Sequence, residues 1–357
     1  MRLLSHADAF EVLCLQAADE GRGDVLYGSC LQRARKEGRA FMVGEEFPDV
    51  YLEFPLIGEP FLDITVLYGQ LEEGTRVDSP VAAGTGATLD WFADVHRQHS
   101  NVSFGFELDV KEPQLPAAAI HFQPRAHTDL VRPFCEVAGE PQAADLYLGL
   151  AKRMPKGWPL SFFGMFRGRA GAPLRVCGYL AHEEKLRCAE STQHIAETFD
   201  AVGFSAYDEA MLAQVSELMA LAPGSVDFQF DIWPDETIGD IFAIDVQYEI
   251  AQPSAVQSSF AEGPVSRVMN LVEQWGAADG RWKLAGDAAF ARALPVELDD
   301  GTIGKYGLTL MPQWMKVRWT RGKLQPSKLY YLAHAGLRVG WGFPSGTVTP
   351  GQCPCWR

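Results

Sequence analysis

Residues Gln313 to Leu332 read QWMKVRWTRGKLQPSKLYYL. With a period of two, this stretch predicts a strand, a turn at Arg321-Gly322 and a return strand. Lys316, Arg318 and Thr320 share one face of the first arm; Met315, Val317 and Trp319 share the other. On the return arm Lys328 and Tyr330 fall together, with Leu329 and Tyr331 opposite. The apolar face suits the covering of a core. The other face gathers three cations and a phenol, so these cations are solvated, paired with carboxylates, or assembled to hold an anion.

The rest of the chain bears on that choice. Its 357 residues are 47% hydrophobic and 22% charged, with a net charge of -15. That is an ordinary globular composition, and its acidity argues against general binding to nucleic acid or anionic membranes. Any functional basic cluster is expected to be local and sheltered. MRLLSHADAF lacks the apolar core of a signal peptide, and no run approaches a membrane span of about 18 residues, so the expected location is cytoplasmic. Seven cysteines in so long a chain do not read as a disulfide framework. Cys353 and Cys355 have metal-ligand spacing, but without a second ligand pair nearby they read as part of a terminal tail.

Helical spacing marks Ala7 to Ala18 and Tyr27 to Arg39, and a strand pair follows at Val50–Phe54 and Phe61–Tyr68. The same alternation recurs. Further pairs are expected at Val102–Val110 with Ala118–Gln123, Leu160–Gly168 with Leu174–Leu180 (turning at Arg169-Ala-Gly171), and Val226–Trp233 with Ile241–Ile250. Between them lie helical patterns at Leu89–His99, Asp129–Val137, Gln142–Met154, Glu184–Ala201, Ala206–Leu221, Phe260–Trp275 and Lys283–Leu294. The fifth pair is the hairpin quoted first. No linker divides the chain, which reads as one domain over residues 1–340 with a tail at 341–357.

Ten antiparallel strands in an open sheet would expose two edges; closure into a barrel removes them. Most strands carry one apolar face (Phe228, Phe230, Ile232) and one polar face (Asp227, Gln229, Asp231). A barrel with helices outside turns the first face outward and the second into the lumen, although an open sheet with one wet face gives the same alternation. The expected fold is α+β, ten antiparallel strands around a central cavity within a ring of helices.

Parity then lists the lumen. Tyr51, Glu53, Asp63 and Thr65 come from the first pair, and Glu107, Asp109, His121 and Gln123 from the second. The third gives Arg167, Arg175, Cys177 and Tyr179; the fourth Gln229, Asp231, Asp245 and Gln247; the fifth Lys316, Arg318, Lys328 and Tyr330. Cations gather in the third and fifth pairs. A basic pocket inside an acidic protein suits a small polyanion such as a diphosphate, because Arg and Lys make charge-assisted hydrogen bonds. Tyrosines beside it offer π faces to a carbocation, and a carboxylate such as Glu53 can take a proton from an acceptor. The competing reading is that these ions only pair with one another across the barrel. Gly84-Thr-Gly86 is a fragment of a dinucleotide fingerprint whose third glycine position is Leu89, and Asp299-Asp300 does not extend into an aspartate-rich magnesium box. His121, between Ile120 and Phe122, reads first as a hydrogen-bonded structural histidine.

This plan resembles the ABBA-fold prenyltransferases, and among them the cyanobactin, or RiPP peptide, prenyltransferases. RLLSHADAFEV is similar to that group's first helix, VYLEFPLIGE to its first strand with the acceptor-side carboxylate, FGFELDV to its Gly-Ile-Asp-Leu strand, and SKLYYL to its Arg-Leu-Tyr-Tyr closing strand. Asp109 stands where that group often has a basic residue. The resemblance implies transfer of an isoprenyl group from dimethylallyl or geranyl diphosphate, usually with Mg2+, to a nucleophilic side chain of a peptide. By it Glu53 is the candidate catalytic carboxylate. Arg167, Arg175, Lys316, Arg318 and Lys328 are candidates for the diphosphate, and Tyr179 and Tyr330 for the carbocation. Glu107, His121, Gln229, Asp231 and Asp245 fall on the acceptor side, where the acidity of Asp231, Asp245 and Glu107 suits a cationic group such as a guanidinium. The alternatives are an ABBA enzyme acting on a small indole or phenol, and a non-catalytic barrel that binds an acidic ligand.

Overall fold

The computed structural model describes residues 4–111, 116–167, 171–250, 253–297, 301 and 303–338. Cys353 and Cys355, Asp299-Asp300, Arg169-Ala170 and the tail at 341–357 lie outside the described residues.

Eight strands come first: β1 (Asp49–Pro55), β2 (Asp63–Tyr68), β3 (Ser103–Leu108), β4 (Ala119–Gln123), β5 (Leu160–Met165), β6 (Leu174–Tyr179), β7 (Val226–Ile232) and β8 (Ile238–Gln247). Four more follow: β9 (Phe290–Glu297), β10 (Ile303–Thr320), β11 (Lys323–Leu324) and β12 (Lys328–Arg338). Each of β1 to β8 pairs antiparallel with its sequence neighbour. β10 then pairs with β8, β12 with β10, and β12 with β1, which closes a ten-stranded antiparallel barrel. Closure leaves these ten strands without a free edge along the lumen.

The alternation that suggests a barrel also fixes its two faces. Phe104, Phe106, Phe228, Phe230, Ile244, Met315, Val317 and Trp319 are buried beneath the helices in one continuous apolar layer. Each such side chain contributes roughly 1.5–3 kcal/mol on burial. Serine and aspartate N-caps set several helix starts: Ser5 accepts from Asp8 N–H, Ser191 from His194 N–H and Asp208 from Met211 N–H.

At the closing seam Arg321 (φ 51°) and Gly322 (φ 72°) both take the left-handed conformation that a two-residue hairpin turn demands. The return keeps register as far as Gln325, whose N–H donates to Arg318 O, and breaks at Pro326, which has no N–H to give, before β12 begins at Lys328. Two expectations change here. The helix expected over Lys283–Leu294 is only Arg281–Asp287; the chain then becomes β9, because the first half of β10 offers a pairing partner from Leu310 back to Ile303. β10 itself starts ten residues before Gln313 and shifts register between Pro312 and Trp314, so one strand serves both the barrel and its β9 extension. The expected helices at Glu184–Ala201 and Phe260–Trp275 are each divided in two, at Ser191 and at Glu262-Gly263. No helix among the described residues is long and apolar enough to cross a membrane.

Candidate functional site

Strand register brings the polar side chains together level by level. Lys316 of β10 stands opposite Asp245 of β8 and Lys328 of β12, and Glu53 of β1 stands between Tyr330 of β12 and Asp63 of β2. Arg175 of β6 is opposite Asp231 of β7 and Gly164 of β5, which in turn faces His121 of β4. These positions surround a cavity of about 120 Å³ lined by Glu53, Glu107, Asp109, Arg175, Gln229, Lys316, Arg318, Pro326, Lys328 and Tyr330. Nine of the residues singled out by parity thus meet at one cavity.

The cations here are engaged with carboxylates. Lys328 binds Glu53 and lies 3.9 Å from Asp63. Lys316 donates to Gln229 Oε1 at 3.1 Å and lies 3.7 Å from Asp245. Arg175 is 3.6 Å from both Glu107 and Asp231, and its guanidinium covers the Phe166 ring at 4.5 Å. Arg318 lines the cavity without an ion pair among the described residues. His121 Nε2 meets Glu107 Oε2 at 2.9 Å.

Burial and partners split the acids into two groups. Burial alone would raise Glu53, but Lys328 and Lys316 overcome it and hold that carboxyl below its usual range. Burial is likewise overridden at Glu107, by the His121 hydrogen bond and by Arg175, and its value falls well below the ordinary one. The other group keeps its protons longer. Burial, then the Glu53 charge, pushes Asp63 up to about 7; burial, then Asp245, pushes Asp227 to about 8. Asp245 rises to about 6 because burial outweighs the attraction of Lys316. Ionised and protonated acids therefore coexist within one lumen.

Beyond the charges lies an aromatic patch. Trp314 stacks on Tyr330 with centroids 4.8 Å apart and planes at 18°, and Tyr51 tilts onto Trp314 at 4.6 Å. With Leu67 these rings form an apolar cluster separate from the main core. The Lys316 ammonium lies 5.3 Å from the Tyr330 centroid. Trp314 was not among the expected lumenal residues, although its parity with Lys316 marks it as one.

Arg167 and Tyr179, both expected at the site, lie outside the cavity lining. The register shift between Leu160 and Phe162 and the end of β5 at Met165 turn Phe166, not Arg167, toward Arg175. The Arg167 guanidinium instead reaches the loop at Gly84. Tyr179 keeps the lumenal face, opposite Asp227, but ends β6 and is 49% exposed, outside the cavity lining.

The lumen does not make a resident magnesium site from its own side chains. Among the described residues, the group of three metal-type ligands that converges is Glu184, Cys188 and His194, on the helices outside the barrel. Among the described residues, Glu53, Glu107, Asp231 and Asp245 are paired with cations, and burial raises Asp63 and Asp227, while Mg2+ asks for ionised oxygens in octahedral array.

No family model matches the sequence, and no curated protein matches it. Among solved structures, 5-dimethylallyltryptophan synthase from Streptomyces coelicolor aligns over 92% of this chain and 97% of its own, with a TM-score of 0.52 and 13% identity. The prenyltransferase PriB aligns over 93% of this chain and 96% of its own, with a TM-score of 0.45 and 10% identity. The fold is the ABBA prenyltransferase barrel. The resemblance seen in the sequence holds at that level; the peptide-modifying group within it is a narrower reading.

Proposed function

We propose that this chain transfers a short isoprenyl group from an allylic diphosphate to an aromatic acceptor held in the lumen. One observation carries the reading: Lys316, Arg318, Lys328 and Arg175 converge on a sheltered cavity directly beside the Trp314–Tyr330–Tyr51 stack. The pairing of a polyanion cradle with neighbouring aromatic rings is what ionisation of an allylic diphosphate requires.

In this mechanism the carbon–oxygen bond of the donor breaks, and the electron pair leaves with the diphosphate onto the four cations. The allylic cation is sheltered by Tyr330, Trp314 and Tyr51, the last two taking the place expected of Tyr179. An electron pair of the acceptor closes the new bond, and the acceptor's proton passes to a carboxylate. Glu53 is the candidate for that step, reached through the displacement of Lys328 toward the diphosphate. Burial and the nearby Glu53 charge raise Tyr330 well above the ordinary phenol range, so it stays neutral and serves as a π face. Arg167 has no part in this account.

The cavity of about 120 Å³ is small beside the roughly 300–1,000 Å³ of drug-sized sites, which favours dimethylallyl over geranyl and a single ring over a peptide. The neighbouring structure's name, dimethylallyltryptophan synthase, makes indole the first acceptor to try. The order of short motifs along the chain favours a peptide acceptor as the second reading.

The test is incubation with dimethylallyl or geranyl diphosphate and a panel of indoles, phenols and linear and cyclic peptides, followed by mass spectrometry. A dimethylallyl adduct on a small aromatic, lost in Glu53→Gln and retained in EDTA, is the expected result. Adducts confined to peptides would move the assignment to the second reading. Diphosphate binding without turnover on any acceptor would leave the non-catalytic barrel.

A further inference from the structure

The lumen contains an acidic pair for which transfer from a diphosphate supplies no role. Asp227 of β7 and Asp245 of β8 are cross-strand neighbours on the lumenal face, only 5% and 7% exposed. Two buried carboxyl groups so placed oppose each other's ionisation. Gln247 Nε2 donates to Asp227 Oδ2 at 3.0 Å, and Asp245 Oδ2 lies 3.7 Å from Lys316. Asp245 Oδ1 is buried and accepts no hydrogen bond, a state that native interiors rarely tolerate. Gln123 Oε1, on the lumenal face of β4 and 4% exposed, is a second acceptor without a donor.

Both orphans ask for N–H groups. The pair is also poorly placed for diphosphate, because a polyanion that draws Lys316 takes from Asp245 its paired cation. That would leave ionised carboxylate buried beside more negative charge, which is costly unless another cation arrives. Register puts the aromatic stack next door: Lys316 is opposite Asp245, and Trp314, two residues earlier on the same face, is opposite both Gln247 and Tyr330.

We propose that the acceptor carries a cationic nitrogen, an ammonium or guanidinium, which seats on the Asp227–Asp245 pair while its apolar part lies against Trp314 and Tyr330. This rests on the transfer reading and narrows its substrate class. The donor and the acceptor then balance one another: as the diphosphate draws Lys316 toward the mouth, the acceptor's cation replaces it at Asp245. A proton accompanies the exchange. Burial and Asp245 hold the Asp227 proton to about pH 8, against the opposing charges of Arg125 and Lys316, and a seated cation would release it.

The experiment is calorimetric binding of tryptamine, 3-ethylindole and indole-3-propionate, with and without dimethylallyl thiolodiphosphate, at pH 7 in two buffers of different ionisation enthalpy. Tryptamine is expected to bind at least about ten-fold tighter than the neutral and anionic isosteres, with proton release that they do not show. Asp245→Asn should erase most of the preference, and Asp227→Asn should abolish the proton release; both replacements are isosteric, and melting curves check the fold. Competition by methylammonium or methylguanidinium tells which head group fits better, and either supports the proposal. Equal binding of all three indoles, or a preference that survives in both variants, overturns it. Failure of the donor analogue to bind would instead strike at the transfer reading, while the charge preference is still read without donor.

Discussion

At the scale of single residues, the lumen sets charge pairing against burial. Lys328 is the hinge of this balance, since it neutralises Glu53 and stands near Asp63 inside the barrel. Lys328→Ala leaves Glu53 ionised, buried and unpaired, and is expected to lower stability by about 3 kcal/mol at pH 7. Adding Glu53→Gln should recover part of that loss, and urea denaturation in a double-mutant cycle reads the coupling. The raised acids give a second prediction of opposite character. Between roughly pH 4, where a free aspartate titrates, and about 8, folded Asp227 keeps a proton that the unfolded chain has released. Stability therefore falls as pH rises through that window. From pH 6 to 8.5 the fall should amount to about 1–3 kcal/mol, shared with Asp63, and should shrink in Asp227→Asn. A stability flat over that range in the wild type would contradict the protonated state of the pair.

At the scale of elements, tight strand packing makes specific demands on side-chain size. Gly178 of β6 has no room for a side chain: a Cβ there would stand 2.2 Å from the Pro159 carbonyl oxygen and 2.4 Å from Phe228. Gly178→Ala is thus expected to cost more than about 2 kcal/mol, read as a lowered urea midpoint. Such close approaches are invisible in a sequence, where Gly178 is one more residue in a strand pattern. The strands themselves were legible because every turn of the pleat alternates one apolar and one polar residue, as in VDFQFDI and AIDVQ. Lys316, Arg318, Lys328 and Glu53 followed from the same parity. Parity fails where a strand carries an irregularity: the shift between Leu160 and Phe162 was unsignalled, so Arg167 was assigned a face it does not occupy. β9 was missed for a different reason, since Phe290–Glu297 becomes a strand only when the early half of β10 is there to pair with it. Trp314 was within reach of the pattern and hidden only by attention to charged residues.

At the scale of the whole molecule, an acidic protein with a net charge of -15 keeps Arg175, Lys316, Arg318 and Lys328 inside a closed barrel. That arrangement screens them from the bulk and, under the proposed function, reserves them for an anion small enough to enter. It also explains why ion pairs fill the lumen: buried cations need counter-charges until a ligand supplies them. Under the proposed function, the pairs that could be read as purely structural are the resting state of a binding site. The most direct measurement is single-turnover transfer from dimethylallyl diphosphate to an indole acceptor, compared between the wild type and Lys316→Met. The account predicts a dimethylallyl adduct with stoichiometric diphosphate release in the wild type, and a loss of at least about a hundred-fold in the variant, assayed below its own melting temperature because Asp245 loses its paired cation. Adduct formation at an equal rate in Lys316→Met would show that Lys316 serves only to pair with Asp245 and that the chemistry lies elsewhere.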